Sequence, residues 1–138
     1  MPDQGLSWRS KSVFKIIMKE LKAILSHEDI LTQGVDRRLY SYDAGTLWKH
    51  TPDLVLFPRS TGHVVKIMKT AYRHGVPVTP RGAGTNQSGG SIPIRGGIVL
   101  CFSRMNRILE IDRENRTALV EPGVVLQTLN LALKEQGF

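Results

Sequence analysis

The stretch from Asp53 to Pro80 leaves a chain of this size few folds to choose from. Leu54-Val55-Leu56-Phe57 is a short apolar run closed by Pro58, the pattern of a strand buried on both faces. Ser60 can then cap a helix carrying Val64, Val65, Ile67, Met68, Ala71 and Tyr72, ended by Gly75. Val76-Pro77-Val78-Thr79-Pro80 follows. Its prolines lack backbone donors and confine it to an edge, or to a strand whose outer side is unpaired. Strand, helix and strand at this spacing make a βαβ unit, so the two strands are predicted to run parallel with a right-handed crossover.

Directly after that second strand comes Pro80-Arg81-Gly82-Ala83-Gly84-Thr85-Asn86-Gln87-Ser88-Gly89-Gly90, with four glycines and no large apolar side chain. Glycine permits positive φ and close approach of a ligand to the backbone, at an entropic cost on folding. Two readings follow. The segment is a flexible surface loop, or it is a nest of backbone N–H donors, helped by Thr85, Asn86 and Ser88, that closes around an anion such as a diphosphate. Its position favours the nest, because ligands of open α/β sheets bind beyond the C-terminal ends of parallel strands.

The remaining segments arrange themselves around this centre. From about Ser7 to Ser26, Val13, Ile17, Leu21 and Ile24 recur at helical spacing, with Lys11, Lys15, Lys19 and Lys22 on the other side. Such a helix can lie on a membrane surface, but docking on its own domain with a solvated lysine face is the commoner use. Residues 1–6 are expected to be a loose lead-in, and His27 to Thr32 to end the helix. Asp36 to Pro52 has no clear period and reads as an irregular connection packing a few aromatics, among them Tyr40, Tyr42 and Trp48. Beyond the glycine segment, Ile92 to Gly97 turns the chain and Ile98 to Phe102 makes another buried strand. Ile108–Ile111 and Thr117–Val120 are predicted to form a hairpin, with Asn115 able to take a left-handed conformation in the turn. Val125, Leu126, Leu129, Ala132 and Leu133 run at helical spacing to a C-cap at Gly137.

Several function classes are set aside on these residues. Lys+Arg outnumber Asp+Glu 19 to 12, a net charge of +7 that suits acidic partners. The cations are scattered, and neither an aromatic-interleaved basic stripe nor a nucleic-acid motif is present, so no nucleic-acid partner is expected. His27 and His50 have no neighbour at metal-ligand spacing, and no metal site is expected. The single cysteine, Cys101, sits in an apolar run and reads as a buried, inert thiol. With no internal disulfide to form, the default setting is reducing and cytoplasmic. The first thirty residues hold no signal peptide and no segment is apolar enough to span a bilayer, leaving only attachment to the inner face of the membrane through a partner.

Two familiar phosphate loops fail on spacing. A P-loop needs Lys and then Ser or Thr after its last glycine, whereas Gly90 is followed by Ser91-Ile92. A Rossmann fingerprint needs its third glycine three residues after the second, at a helix start; Gly84 is followed by Thr85-Asn86-Gln87 and the next glycine is Gly89. A third pattern fits. Leu56-Phe57-Pro58-Arg59-Ser60-Thr61, then His74-Gly75-Val76-Pro77-Val78, then Pro80 to Gly90, resembles the vanillyl-alcohol oxidase, or PCMH-type, FAD-binding domain. Arg104-Met105-Asn106-Arg107-Ile108 and Val120-Glu121-Pro122-Gly123-Val124 are most similar to its glycolate oxidase and D-lactate dehydrogenase branch. The resemblance runs in order from about Tyr40 to the end.

The resemblance implies an α+β fold: an N-terminal helix and irregular lead-in over residues 1–49, then the first βαβ-containing half of a PCMH-type FAD-binding domain over 50–138, truncated. It implies that Pro80, Arg81, Gly82, Ala83, Gly84, Thr85, Asn86, Ser88, Gly89 and Gly90 hold the FAD pyrophosphate, with Pro122 and Gly123 along the same cofactor. Arg81 has two readings, a direct phosphate ligand or a strut paired with a carboxylate. Some relatives attach the flavin through a histidine in this loop; Thr85 aligns there, so non-covalent FAD is expected. The family's domain continues with further strands, a second cofactor loop and a substrate domain, which in relatives supply the base and any metal ligands. No catalytic residue is therefore expected here, and His63 and His74 are read as solvated. The resemblance implies oxidation of a small 2-hydroxy acid, glycolate or D-lactate, to the 2-oxo acid, with an iron–sulfur or second FAD-domain subunit as electron-accepting partner. The alternatives are another PCMH-type oxidase or reductase acting on an alcohol, an alditol or a sugar nucleotide, and a non-catalytic remnant or accessory subunit. The chain alone is expected to be inactive, with a buried strand edge unpaired after Val120.

Overall fold

The computed structural model describes residues 7–45 and 47–138; the expected lead-in over residues 1–6 lies outside them. A single helical turn at Ser7–Arg9 precedes helix α1 (Lys11–Ile24), and another at His27–Asp29 precedes strand β1 (Ile30–Leu31). Then come α2 (Gly34–Arg38), β2 (Leu54–Leu56), α3 (Thr61–Arg73), β3 (Val78–Arg81) and β4 (Ile98–Cys101). The hairpin β5 (Ile108–Asp112) and β6 (Thr117–Val120) and helix α4 (Leu126–Glu135) complete the chain.

β1, β2, β4 and β3 form one sheet in that order, with β2, β4 and β3 parallel and β1 antiparallel to β2. The predicted unit is present, yet its two strands are not neighbours, because β4 runs between them. Burial explains the order. All four residues of β4 are buried, as a central strand requires. β3 carries Pro80, which has no N–H to donate to a second neighbour, and so occupies the edge.

Alternation along the strands divides the core in two. Leu54, Leu56, Ile98 and Leu100 face α1 and α3, where they meet Ile17, Leu21, Ile67 and Ala71. Val55, Phe57, Val99 and Cys101 point to the opposite face, against Leu31 and Tyr40. Burial of β2 on both faces, the inert setting of Cys101 and the docking of α1 all agree with expectation. So do the caps of α3: the His63 amide donates to Ser60 Oγ at 3.2 Å and Gly75 stands at φ +65°.

Other readings are corrected. α1 is shorter than Ser7–Ser26 because Ser10 Oγ accepts the Val13 amide and starts the helix there. His27 to Thr32 does more than end it: Ile30 and Leu31 pair with Leu56 and Val55. This two-residue strand is too short to show a period in sequence. The irregular connection contains α2, and of its aromatics Tyr40 packs edge-on against Phe57 while Tyr42 and Trp48 stay exposed. In the hairpin turn the left-handed residue is Arg116 at φ 54°, not Asn115. Asn115 instead donates its amide and side chain to Asp112 at 3.0 and 2.6 Å. β6 pairs with β5 and alternates between exposed and half-buried residues, so it is not a buried strand.

The β5–β6 hairpin is closed at its base by Glu121. Its carboxylate is buried and accepts from the Arg107 guanidinium at 2.7 Å and the Arg107 amide at 2.9 Å. Those hydrogen bonds hold its pKa below the ordinary carboxylate value. A carboxylate lowered on folding adds stability above its unfolded pKa of about 4.3, and that stability is lost as pH falls through the lower folded value. Stability of the wild type is therefore expected to fall more steeply below about pH 4 than that of Glu121→Gln. Parallel acid-unfolding curves for the two proteins would refute this.

Candidate functional site

The C-terminal ends of β2, β4 and β3 lie side by side, and three polar assemblies stand along that edge. Asp29 is the first, with 2% of its surface exposed. It accepts from Arg59 Nε at 2.9 Å, from Arg104 Nη1 and from Ser26 Oγ at 2.8 Å. Residues of the 104–108 and 120–124 stretches thus have structural duties here, Arg104 with Asp29 and Arg107 with Glu121.

Arg81, the last residue of β3, is the second assembly. It is buried, and its Nη1 donates to the Tyr42 carbonyl at 2.7 Å while the guanidinium lies over the Tyr40 ring. Arg104 lies over Phe57, which packs against Tyr40, so the two arginines bracket an aromatic pair. Burial in this stack pushes the Tyr40 phenol above its ordinary pKa. The Arg81 side chain passes beneath Gly84, where a Cβ would collide with the guanidinium. Arg81 thus supports the loop from beneath, through a carbonyl and an aromatic face rather than a carboxylate.

The third assembly is the glycine loop and the buried Asp43. Asp43 Oδ2 accepts from Asn86 Nδ2 at 2.8 Å and from the Gly89 amide at 2.9 Å, while Oδ1 accepts from the Gly45 amide at 2.8 Å. Asn86 also accepts from Ser91 Oγ at 2.7 Å, and its carbonyl receives the Ala44 amide at 3.0 Å. One carboxylate therefore pins the second half of the loop at Asn86 and Gly89. Gly84 and Gly89 adopt φ +74° and +78° within it. The Gly89 amide is spent on Asp43. By contrast, the amides of Gly82, Ala83, Gly84, Thr85, Asn86, Gln87 and Ser88 donate to no group among the described residues. An ordered, glycine-rich run of unpaired N–H donors fits a pyrophosphate, whose oxygens accept several such bonds without needing a cation.

Pro80 and Arg81 thus end β3 and Gly82 through Gly90 form one loop, with Gly82, Ala83, Thr85, Ser88 and Gly90 exposed and Asn86 turned inward. Gly123 lies on the same edge of the sheet. Its amide donates to the Met105 carbonyl at 2.8 Å, and a Cβ would strike the Phe102 carbonyl, so close backbone packing already requires glycine there. Pro122 beside it is exposed. His74 caps the far end of α3 from this loop, whereas His63 stands in the first turn of α3, on the loop's own edge, where its Nδ1 accepts the Arg59 amide at 3.4 Å. His74 is largely buried and pairs with Glu20 at 3.2 Å, so it is not solvated as expected. Among the described residues no cluster of His, Cys, Asp and Glu could hold a metal ion, and no helix is long and apolar enough to cross a membrane.

Asp43 escaped the sequence reading, and Tyr40 entered it only as a packed aromatic, because they lie in an aperiodic segment. Only the pairing of an acidic residue with a glycine two positions on, at Asp43 and Gly45, hinted at a turn. Asp43→Ala is expected to free the Asn86–Gly89 half of the loop and weaken flavin binding by about tenfold to a hundredfold, the cost of two or three hydrogen bonds that preorganise the site. Titration with FAD, with hydrogen exchange at Gly89 alongside, checks this. Unchanged affinity and unchanged Gly89 protection would show that the loop holds its shape without Asp43.

Comparisons with known proteins agree with this geometry. A family model described as an FAD binding domain matches residues 52–138. The glycolate oxidase subunit GlcD of Bacillus subtilis (strain 168) is 40% identical over 125 residues, covering 91% of this chain and 27% of its own length. The mitochondrial D-lactate dehydrogenase [cytochrome] of Arabidopsis thaliana is 35% identical over 130 residues, covering 92% of this chain and 23% of its own. Among solved structures, 4-ethylphenol oxidase from Gulosibacter chungangensis superposes with a TM-score of 0.81 at 29% identity, over 99% of this chain and 26% of that one. The chain spans about a quarter of the length of these proteins. With its βαβ unit, its loop of unpaired amides and the match over residues 52–138, the chain belongs to the FAD-binding domain family of PCMH type, the flavin-binding part of FAD-linked oxidoreductases.

Proposed function

We propose that this segment holds the pyrophosphate of a non-covalently bound FAD in an enzyme that oxidises a small 2-hydroxy acid, glycolate or D-lactate. The observation that carries the reading is the run of unpaired amides from Gly82 to Ser88, held in shape by Asp43 and Arg81. When bound, the flavin supplies the redox chemistry by accepting a hydride from the carbon that bears the hydroxyl. This chain's residues position it. The loop amides take the diphosphate charge, Gly84 lets the backbone approach, and Arg81 supports the loop from beneath and adds positive potential. Pro122 and Gly123 border the same edge. The hydroxy-acid preference rests on the identities with the glycolate oxidase subunit and the D-lactate dehydrogenase. An iron–sulfur protein or a second FAD-domain subunit as electron acceptor, and a cytoplasmic location, accompany this reading.

The test is a titration of FAD, FMN and riboflavin into the chain and into a longer polypeptide that contains it. FAD is expected to bind and ADP to compete, because the diphosphate is the handle. Anaerobic glycolate or D-lactate should then bleach the visible flavin band of the longer protein. Riboflavin binding as well as FAD would refute the loop's role, and bleaching only by an alcohol or alditol would move the substrate to another class.

A further inference from the structure

Two segments of the flavin edge meet on a third that touches both. The helical turn Phe102–Arg104 follows β4 directly. Where it begins, Cys101 Sγ lies 3.8 Å from the Gly82 carbonyl, the first of the glycine loop. Where it ends, the Met105 carbonyl accepts the Gly123 amide at 2.8 Å, and the Phe102 carbonyl fills the space a Gly123 Cβ would need. Gly82 and Gly123, far apart in the chain, are therefore seated on the same turn.

A three-residue turn of this kind has little rigidity of its own; its backbone is closed by the Met105 amide donating to the Phe102 carbonyl at 2.8 Å. The Arg104 side chain places it. Nη1 donates to Asp29 Oδ1 and Nη2 to the Glu28 carbonyl at 3.2 Å, with the guanidinium 5.0 Å over the Phe57 ring. Asp29 is a fixed point on the sheet. It is buried, its carbonyl holds the Phe57 amide at 2.9 Å, and its carboxylate also accepts from Arg59 and Ser26. Charge-assisted bonds from a planar guanidinium to such a carboxylate are short and directional, so they set where the turn lies.

We propose that Arg104 is a positioning residue for the flavin: by docking the turn after β4 on Asp29, it fixes the distance between the glycine loop and Pro122–Gly123. The proposal rests on the reading of this edge as the FAD site. A ligand that reaches both segments binds best when their separation is set in advance, and any slack between them lowers its affinity. An anion confined to the glycine loop is indifferent to that separation, because the loop keeps its own supports in Asp43 and Arg81. Arg104 itself makes no hydrogen bond to the loop among the described residues, and acts through the backbone of its turn.

The test compares FAD with inorganic pyrophosphate in calorimetric titrations of the full 138-residue chain. Arg104→Met removes the ion pair but keeps a long side chain against Phe57, so the aromatic pair beneath Arg81 is retained. It is expected to weaken FAD about tenfold, on the order of one lost charge-assisted hydrogen bond, and to leave pyrophosphate affinity unchanged. Arg104→Lys keeps a cation beside Asp29 and should recover most of the loss. In the empty protein, hydrogen exchange at the Gly123 amide should quicken in Arg104→Met while exchange at Gly89 stays as it was. Circular dichroism confirms the fold of each variant; were Arg104→Met to unfold, Arg104→Gln, which retains a polar head, takes its place. Equal losses for FAD and pyrophosphate, no recovery with lysine, or unchanged Gly123 exchange would overturn the positioning role alone. A wild-type chain that binds neither FAD nor pyrophosphate would overturn the flavin reading, and the proposal with it.

Discussion

Replacing Gly84 with valine is expected to abolish flavin binding while leaving the helical circular dichroism unchanged. Gly84 stands at φ +74°, where a residue with a Cβ is strained by roughly 1–2 kcal/mol and a β-branched one by more. The collision is the larger effect. The new Cβ would meet the Arg81 guanidinium, which cannot withdraw because it is buried, bonded to the Tyr42 carbonyl and seated on the Tyr40 ring. The loop must therefore lift, and its amides lose the alignment that a diphosphate needs. A loss of about 3 kcal/mol in binding would lower FAD affinity roughly a hundredfold. Gly82→Ala is the companion variant. A Cβ there meets nothing within 4 Å, so the empty loop keeps its shape and any loss of affinity reports contact with the ligand. The measurement is FAD stoichiometry and affinity for both variants in a longer polypeptide containing this segment. Normal stoichiometry in Gly84→Val would sink the nest.

Asp29→Ala is expected to be the most destabilising single change on this edge, at about 3–5 kcal/mol, the usual cost of removing one partner from a buried ionic network. Asp29 joins the turn after α1, the end of β2 through Arg59, and the turn after β4 through Arg104. Its own carbonyl also receives the Phe57 amide at 2.9 Å. Without the carboxylate, Arg104 faces a desolvated gap with only the Glu28 carbonyl and the Phe57 ring for company. Arg59→Ala should cost much less, about 1–2 kcal/mol, because its side chain is half exposed. Denaturant unfolding of the three proteins without added flavin compares them free of a ligand contribution. A loss below about 1 kcal/mol for Asp29→Ala would mean that the two arginines find other partners.

These two variants probe features of different legibility. Gly84 was visible at once, because a glycine cluster after a strand is a local pattern and the reason for glycine is local too. Asp29 was invisible: it sits directly before a two-residue strand, and its partners lie 30 and 75 positions away. The same holds for Asp43, whose bonds reach 43 and 46 positions along the chain. A hydrogen bond of that span leaves no periodic trace in the sequence. Arg81 shows a middle case. Its position before the loop was plain from the order of residues, but the contacts that hold it, the Tyr42 carbonyl and the Tyr40 ring, come from a stretch without period.

Strand and helix identity followed from sequence alone wherever burial imposes a rhythm. The continuous apolar runs at Leu54 and Ile98, the helical spacing in α1, α3 and α4, and the prolines that sent β3 to an edge all act within a few residues. The parallel sense of β2 and β3 also followed, since a helix between two strands returns the chain to the same direction. The tertiary structure decided what needs distant partners: the insertion of β4 between β2 and β3, the addition of β1, and the shaping of the glycine loop by Asp43 and Arg81. Strand order depends on which edges can still donate hydrogen bonds, and loop shape on carboxylates arriving from elsewhere in the chain. Those are properties of the assembled edge, and no single segment carries them.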